Sequence, residues 1–366
     1  MTTAGTKRIA FYAPMKSPRH PVPSGDREMA RNLIDIIAAG GAEVDLVTEL
    51  KVFDKTGDAA LQALLRDKAA QEIRRLCAEM PAVDLWVTYH NYYKAPDLIG
   101  PQVARARGIP YVQIESTRAS RRLTGPWADF AESAHAAADA AAVIFYFTAN
   151  DLITLDRDKH PDQSLHSLPP FLPAANLPPA STLDGPMLSV GMMRHGDKLA
   201  SYQIIADSLQ GLQGDWQLQI AGDGPARPEV EALMAPFAQR VTFLGQLSRT
   251  ELAKAYEQAS LFFWPGVNEA FGMVYLEAQS HGVPVVAQDR PGMRDILAPS
   301  NQPENYPEVS LGAAALTARL QQLLSNRGLR HHLGAQAREM IAANHLAPAA
   351  SARFWRAVTP LLEERP

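Results

Sequence analysis

Two glutamates eight residues apart, Glu269 and Glu277 in NEAFGMVYLEAQSHGVPVVA, are the residues with the clearest capacity for chemistry. The preceding SLFFWPG reads as a strand, Asn268 as an N-cap and AFGMVYLEAQS as the helix it starts, which puts Glu269 at the helix entrance. Eight helical steps carry Glu277 roughly 12 Å along the axis. Paired glycosidase carboxylates stand about 5 to 9.5 Å apart, so acid/base hydrolysis is disfavoured. The larger spacing suits hydroxyl groups on two sugar rings joined by a diphosphate, with the amides near Gly272 and Met273 facing the phosphates. A nucleotide sugar has that shape. The plainer alternative is a solvated helix with two ordinary glutamates.

Other stretches supply partners. In SVGMMRHGDK a strand leads to Arg194 and Lys198, four residues apart, a spacing that places two cations at one diphosphate if they are not simply loop charges. IAGDGPAR has Gly222 and Gly224 but no third glycine, and Pro225 follows at once, so it reads as a tight turn rather than a dinucleotide fingerprint. Gly245 in TFLGQL closes a strand where backbone can approach a flat base. In the first half, His90 in TYHNYY and Glu115 in IPYVQIEST end apolar runs, where a lone histidine or glutamate is more often structural, a catalytic role being the alternative. Asp156 and Asp158 in LDRDKH follow a helical run and read as a solvated helix end. No H-E-x-x-H spacing occurs among the histidines, so no metal site is expected. The loop STRASRRLTGPW, with Arg118, Arg121, Arg122 and Trp127, reads as a basic surface segment, the functional alternative being contact with an anionic acceptor or a membrane face.

These residues need a scaffold. With 366 residues, 46% of them hydrophobic, the chain is too long for one ordinary core and suits two domains. A net charge of -4 without a basic stripe argues against nucleic acid. Cys77 is the only cysteine, which excludes an intramolecular disulfide and a thiolate metal cage. MTTAGTKRIAFYAP is not a signal peptide and no run approaches a membrane span, so a cytoplasmic protein is expected, with peripheral membrane contact through Arg118, Arg121 and Arg122 left open. RIAFYAP, AEVDLVTEL, VDLWVTYH, IPYVQIES and AAVIFYFTA read as buried parallel strands between helical segments. MLSVGMM, WQLQIAGDG, RVTFLGQL, SLFFWPG and VPVVAQ repeat the plan. The fold class expected is α/β, two doubly wound Rossmann-like domains facing a cleft. The boundaries are an N-terminal acceptor-side domain over 1–168, a proline-rich linker over 169–186, a C-terminal donor-binding domain over 187–346, and a C-terminal helix over 347–366 that packs back on the first domain.

The ordered set SVG with Lys198, IAGDGP, VTFLG, Glu269, Glu277 and HGVPVVA resembles the C-terminal domain of GT-B glycosyltransferases of the retaining family 4 type, over most of Met187 to Ala298. The resemblance implies that Lys198, with Arg194, contacts a donor diphosphate, that Glu277 holds ribose hydroxyls, and that Glu269 with the Phe271, Gly272 and Met273 backbone holds the transferred sugar. It places the base near Leu247 and the phosphates against Gly191 and, from the first domain, Gly25. It implies metal-independent transfer from a nucleotide sugar, a substrate rather than a cofactor, to a saccharide or lipid-linked acceptor, as in polysaccharide biosynthesis. The chain departs from the family at Met192, where an arginine is usual, at Ser24-Gly25, where two glycines are usual, and at Glu115-Ser116, near which the family often has a histidine. Two alternatives remain: a nucleotide-sugar epimerase on the same fold, and a catalytically silent nucleotide-sugar-binding or scaffold protein.

Overall fold

The computed structural model describes residues 6–22, 24–269, 272–298 and 305–363. It divides into an N-terminal unit, Met1–Pro169 with Ala347–Pro366, and a C-terminal unit, Pro170–Leu346. The N-terminal unit runs β1 (Arg8–Tyr12), α1 (Gly25–Ala39), β2 (Glu43–Leu46), α2 (Ala59–Glu79), β3 (Leu85–Asn91), α3 (Gly100–Arg107), β4 (Tyr111–Ser116), α4 (Ala128–Asp139), β5 (Val143–Tyr146), α5 (Ala149–Arg157) and β6 (Ser164–Ser167). The C-terminal unit runs β7 (Met187–Val190), α6 (Asp197–Leu209), β8 (Leu218–Ala221), α7 (Arg227–Met234), β9 (Val241–Gly245), α8 (Arg249–Gln258), β10 (Leu261–Phe263), α9 (Met273–Ser280), β11 (Val285–Val286), α10 (Gly312–Ser325) and α11 (Arg327–Asn344). The last helix, α12 (Ala347–Glu363), returns to the N-terminal unit.

Both sheets are parallel. The first has the order β2-β1-β3-β4-β5-β6 and the second β11-β10-β7-β8-β9. Leu85, Trp86, Val87 and Tyr89 of β3 and Val112 and Ile114 of β4 are buried because helices cover both faces of a parallel sheet, which is why these strands read as continuous apolar runs. Strand order reverses between β1 and β3 in the first sheet and between β7 and β10 in the second. Beyond the carboxyl ends of such strand pairs the following loops part, leaving a crevice for ligands.

Helix α12 is amphipathic, and its apolar side meets the N-terminal sheet: Phe354 stacks on Phe145 with centroids 5.5 Å apart. Ser351 Oγ donates to the Ile36 carbonyl at 2.8 Å. Gly40, at the end of α1, is filled against by Trp355, whose indole nitrogen would lie 1.7 Å from any added Cβ.

The structure departs from the sequence reading in several places. Residues 170–186 lie within the C-terminal unit: Leu172 and Leu183 are buried in its core and Leu172 bridges to Leu346. Proline supplies conformational restriction, but it is the leucines between the prolines that find partners. The strand β6, just ahead of the expected linker, is not among the strands read from the sequence; its short SLHS segment pairs with β5 at the sheet edge. Asn268 is not a helix cap. It has φ 46°, and the helix begins after Gly272, which takes φ 59° as the N-cap of α9. Glu269 therefore sits on a loop ahead of the helix, and the axial estimate of its separation from Glu277 does not apply. Arg118 is not a surface residue: it is 2% exposed and Nη1 donates to Asp139 Oδ1 at 2.6 Å. Its neighbours in sequence gave the loop a uniformly basic look, but the cation is consumed inside.

Candidate functional site

The switch point of the C-terminal sheet gathers the residues singled out for phosphate and sugar contact. Beyond β7, Gly191 donates to the Ala221 carbonyl at 3.0 Å and Met193 to the Asp223 carbonyl at 2.9 Å, tying the loop after β7 to the loop after β8. A Cβ at Gly222 would lie 2.0 Å from the Gly191 carbonyl and one at Gly224 2.3 Å from that of Met193. The glycines of IAGDG thus serve backbone-to-backbone approach, consistent with a tight turn.

Lys198 stands in the first turn of α6, and its Nζ donates to Glu269 Oε2 at 2.6 Å. The same oxygen accepts from Trp264 Nε1 at 3.1 Å. Lys198 Nζ also lies 5.3 Å from the Trp264 ring centroid. Trp264 is wholly buried, and its carbonyl accepts from Tyr275 Oη at 2.9 Å. A Cβ at Gly191 would come within 2.6 Å of its ring. The loop carrying Glu269 is pinned to α6 twice, by Val267 N to Ser201 Oγ at 3.1 Å and by Asn268 Nδ2 to Asp197 Oδ1 at 3.0 Å. Asn268 is one of the residue types that tolerates a positive φ, and the bond to Asp197 accounts for its placement.

Neither α6 nor α9 has a side-chain cap: their N-caps are Gly196 and Gly272. By contrast α8 is closed by Ser248 and Glu251, and α5 by Thr148 and Asp151, each as a full capping box. An uncapped N-terminus leaves backbone N–H groups available to an anion and adds the favourable end of the helix dipole. Glu277, in α9, accepts from Tyr256 Oη at 3.1 Å. Burial raises its pKa above the ordinary carboxylate value, against the opposing effect of the Tyr256 hydrogen bond. Arg194 is exposed, Leu247 is half-buried against the core, Gly272 and Met273 open α9, and Phe271 lies outside the described residues.

The N-terminal sheet presents a second polar cluster at its own switch point. Register pairs Tyr89 with Ile114 and Asn91 with Ser116, so His90 and Glu115 are neighbours. Asn91 Nδ2 fixes that register by donating to Ser116 Oγ at 3.1 Å and to the Ala134 carbonyl at 2.9 Å. His90 has φ 67° and Glu115 φ 59°, an uncommon conformation for side-chain-bearing residues and one that concentrates at functional sites. His90 Nδ1 is 3.5 Å from Glu115 Oε2 and 3.5 Å from Oδ1 of Asp26. Asp26 comes from the first turn of α1, whose N-cap Ser24 accepts from Arg27 N at 3.2 Å. Gly25 opens that helix with nothing within 4 Å of where a Cβ would stand. Burial, with Asp151 and Asp26 in support and His90 opposing, lifts the Glu115 pKa to about 7. For His90, burial pulls downward but Glu115 and Asp26 outweigh it and the shift is upward.

The remaining candidates are not brought to either cluster. Asp158 caps the end of α5 and pairs with Arg157 at 2.5 Å, and no group of three His, Cys, Asp or Glu that could hold a metal occurs among the described residues. Arg122 lies 5.0 Å over Tyr93 and 5.2 Å over Trp127, with Lys94 5.6 Å from each ring. No helix among the described residues is long and apolar enough to cross a membrane. Sequence reasoning missed Trp264, Tyr275 and Asp26. The only available signal for the first was an indole at a strand end directly before Pro265-Gly266.

Comparison with known proteins bears on this geometry. Residues 196–340 match the family model described as Glycosyl transferases group 1. A sulfoquinovosyl transferase of Arabidopsis thaliana is 32% identical over 124 residues, 34% of this chain and 24% of that protein. An alpha-D-kanosaminyltransferase of Streptomyces kanamyceticus is 28% identical over 225 residues, 57% of this chain and 58% of that protein. The chain spans less than two thirds of the length of these curated relatives. Among solved structures, sucrose-phosphate synthase of Thermosynechococcus elongatus superposes with a TM-score of 0.71 at 18% identity, over 98% of this chain and 100% of that one. HepE of Anabaena, solved in complex with UDP, gives 0.70 at 15% identity, over 97% and 100%.

Proposed function

We propose that the chain, whose residues 196–340 match the group 1 glycosyltransferase model and whose fold is that of GT-B structures, transfers a sugar from a nucleotide-sugar donor to an acceptor held by the N-terminal unit, with retention and without a metal. The observation that supports this reading most is the Lys198–Glu269 pair braced by Trp264 at the β7/β10 switch point, between two helix N-termini without side-chain caps.

In this reading the donor diphosphate takes Lys198 from Glu269. Glu269 is then free to accept from hydroxyls of the transferred sugar, and Lys198 with the amides of α6 and α9 meets the negative charge that grows on the diphosphate as the glycosidic C–O bond breaks. The loop carrying Glu269 is already held to α6 through Ser201 and Asp197, so Lys198 is the group that changes partner. Glu277 receives the ribose hydroxyls. The leaving phosphate takes the acceptor proton as the acceptor oxygen bonds to the anomeric carbon from the same face, which requires no protein nucleophile.

The test is a thermal-shift screen of UDP, GDP and ADP followed by a transfer assay with the matching nucleotide sugar over an acceptor panel. One nucleotide raises the unfolding midpoint, since a ligand favouring the native state stabilises it by mass action. Transfer persists in excess EDTA. Stabilisation without transfer or hydrolysis would return the silent-binder reading, and interconversion of the sugar without acceptor would return the epimerase.

A further inference from the structure

What the N-terminal unit recognises rests on the transfer reading above, and the loops after β3 and β4 bear on it, since both leave the carboxyl end of the sheet beside its switch point. Lys94 stands on the first loop and Arg122 on the second. Both are held over the same two rings: the Arg122 guanidinium carbon is 5.0 Å from the Tyr93 centroid and 5.2 Å from that of Trp127, and Lys94 Nζ is 5.6 Å from each. Stacking on a ring fixes where a cation stands but leaves its charge and its N–H donors unspent. Among the described residues neither side chain donates a hydrogen bond or joins an ion pair. The carboxylates of this region are committed elsewhere: Asp139 to Arg118, Asp158 to Arg157, and the buried Asp54 to the backbone N–H groups of Thr56, Gly57 and Asp58 and to Gln62. Asp129, in the first turn of α4, is exposed and pairs with neither cation.

The rings beneath these cations are anchored. Trp127 Nε1 donates to the Asp54 carbonyl at 3.2 Å, Asp54 N to the Lys94 carbonyl at 2.9 Å, and Gln62 Nε2 to the Pro126 carbonyl at 2.9 Å. Ring contacts also lead inward to the switch point: Trp127 to Tyr93 at 5.7 Å, Tyr93 to Tyr92 at 5.6 Å, and Tyr92 to His90 at 4.6 Å. Two like charges therefore share one small aromatic platform at the end of a line of rings that starts beside His90. A neutral hydroxyl leaves both charges uncompensated, and a single carboxylate leaves one. A phosphate monoester brings about −1.5 to −2 charge near pH 7 and three acceptor oxygens, which match a planar guanidinium and an ammonium side by side.

We propose that Arg122 and Lys94 form an anion subsite for a phosphate monoester carried by the acceptor saccharide, with Tyr92 and Tyr93 between that phosphate and His90.

The experiment is calorimetric titration of the full chain with glucose 6-phosphate, glucose and glucuronic acid, in the absence of nucleotide and again with UDP, GDP or ADP present. The expected result is that glucose 6-phosphate binds about tenfold or more tightly than either of the other probes, the scale of one charge-assisted hydrogen bond. Arg122→Gln and Lys94→Gln each weaken it by about tenfold in proteins whose circular dichroism shows them folded. Lys198→Ala, in the C-terminal unit, leaves it unchanged, which separates this anion from the donor's. Equal binding of glucose or glucuronic acid, no binding of glucose 6-phosphate at millimolar concentration, or parent-like affinity in either variant overturns the proposal. Binding to phosphatidylglycerol vesicles that both variants abolish, without binding of glucose 6-phosphate, also overturns it and assigns the two cations to a lipid surface. None of these outcomes measures nucleotide stabilisation, so the transfer reading stands or falls separately.

Discussion

Lys198 Nζ and Glu269 Oε2 lie 2.6 Å apart although 71 residues separate them in the chain. One residue opens the helix after β7 and the other sits on the loop after β10, the two strands between which the order of the sheet reverses. The pair sets a cation beside a carboxylate, which the proposed function assigns to two different parts of one ligand.

Lys198→Ala is expected to weaken nucleoside diphosphate binding by about 1.5 to 3 kcal/mol, the range of a hydrogen bond to a charged group. Calorimetry on the folded variant measures it. Affinity within twofold of the parent protein would remove Lys198 from the phosphate site.

Glu277→Ala should cost about 1 to 3 kcal/mol of nucleotide affinity, because it deletes an acceptor at a largely buried position. The loss is specific to the sugar: the parent protein prefers a ribonucleoside diphosphate to its 2′,3′-dideoxy counterpart, and the variant does not. A variant that retains the preference shows that the ribose hydroxyls lie elsewhere.

The raised pKa values of Glu115 and His90 make stability fall as pH rises. For Glu115 the folded value of about 7 exceeds the ordinary glutamate value, so between the two the native state holds more protons than the unfolded chain. Its contribution is fully present below the unfolded pKa and is lost as pH rises through the folded one. The His90 shift has the same sign. Glu115→Gln should therefore raise the unfolding midpoint at pH 8 and leave it nearly unchanged at pH 4, the difference amounting to roughly 3 kcal/mol. Equal effects at both pH values would mean that the carboxyl group is not held in its neutral form by the fold.

Gly191→Ala brings a methyl group within 2.6 Å of the Trp264 ring, against which Tyr202 packs edge to face at 5.2 Å. Overpacking at such a site costs about 1 to 3 kcal/mol, read as a lower urea midpoint. Nucleotide affinity falls with it, because Trp264 braces Glu269. Stability lost with affinity unchanged would separate the indole from the site.

Retention is the outcome that the proposed function leads us to expect. Glu269 and Glu277 are engaged within the C-terminal unit by Lys198, Trp264 and Tyr256, and an inverting reaction needs a base on the acceptor side. Proton NMR of fresh product from an α-linked donor should show the small anomeric coupling of an α-linkage. A β-linked product would make Glu115 the base.

Local sequence determined the alternation of apolar strands and amphipathic helices, the turn at IAGDG and the glutamates of the loop-and-helix after β10, because periodicity and glycine placement act over a few residues. It did not determine where that helix starts. Gly272 at φ 59° sets the start, and Asn268 instead turns to Asp197 on another helix. Nor did it determine that Arg118 is spent on Asp139, that Leu172 and Leu183 tie residues 170–186 to the core of the C-terminal unit, or that Trp264 supports Glu269. The N-terminal cluster shows the reason most directly. His90 and Glu115 are adjacent only because parallel strands pair Asn91 with Ser116, and Asp26 joins them only because α1 begins at the carboxyl end of the same sheet. Register between parallel strands is set by packing on both faces, a long-range property; Glu115 acquires its raised proton affinity only once that packing has removed it from water, and His90 only once it stands beside Glu115 and Asp26.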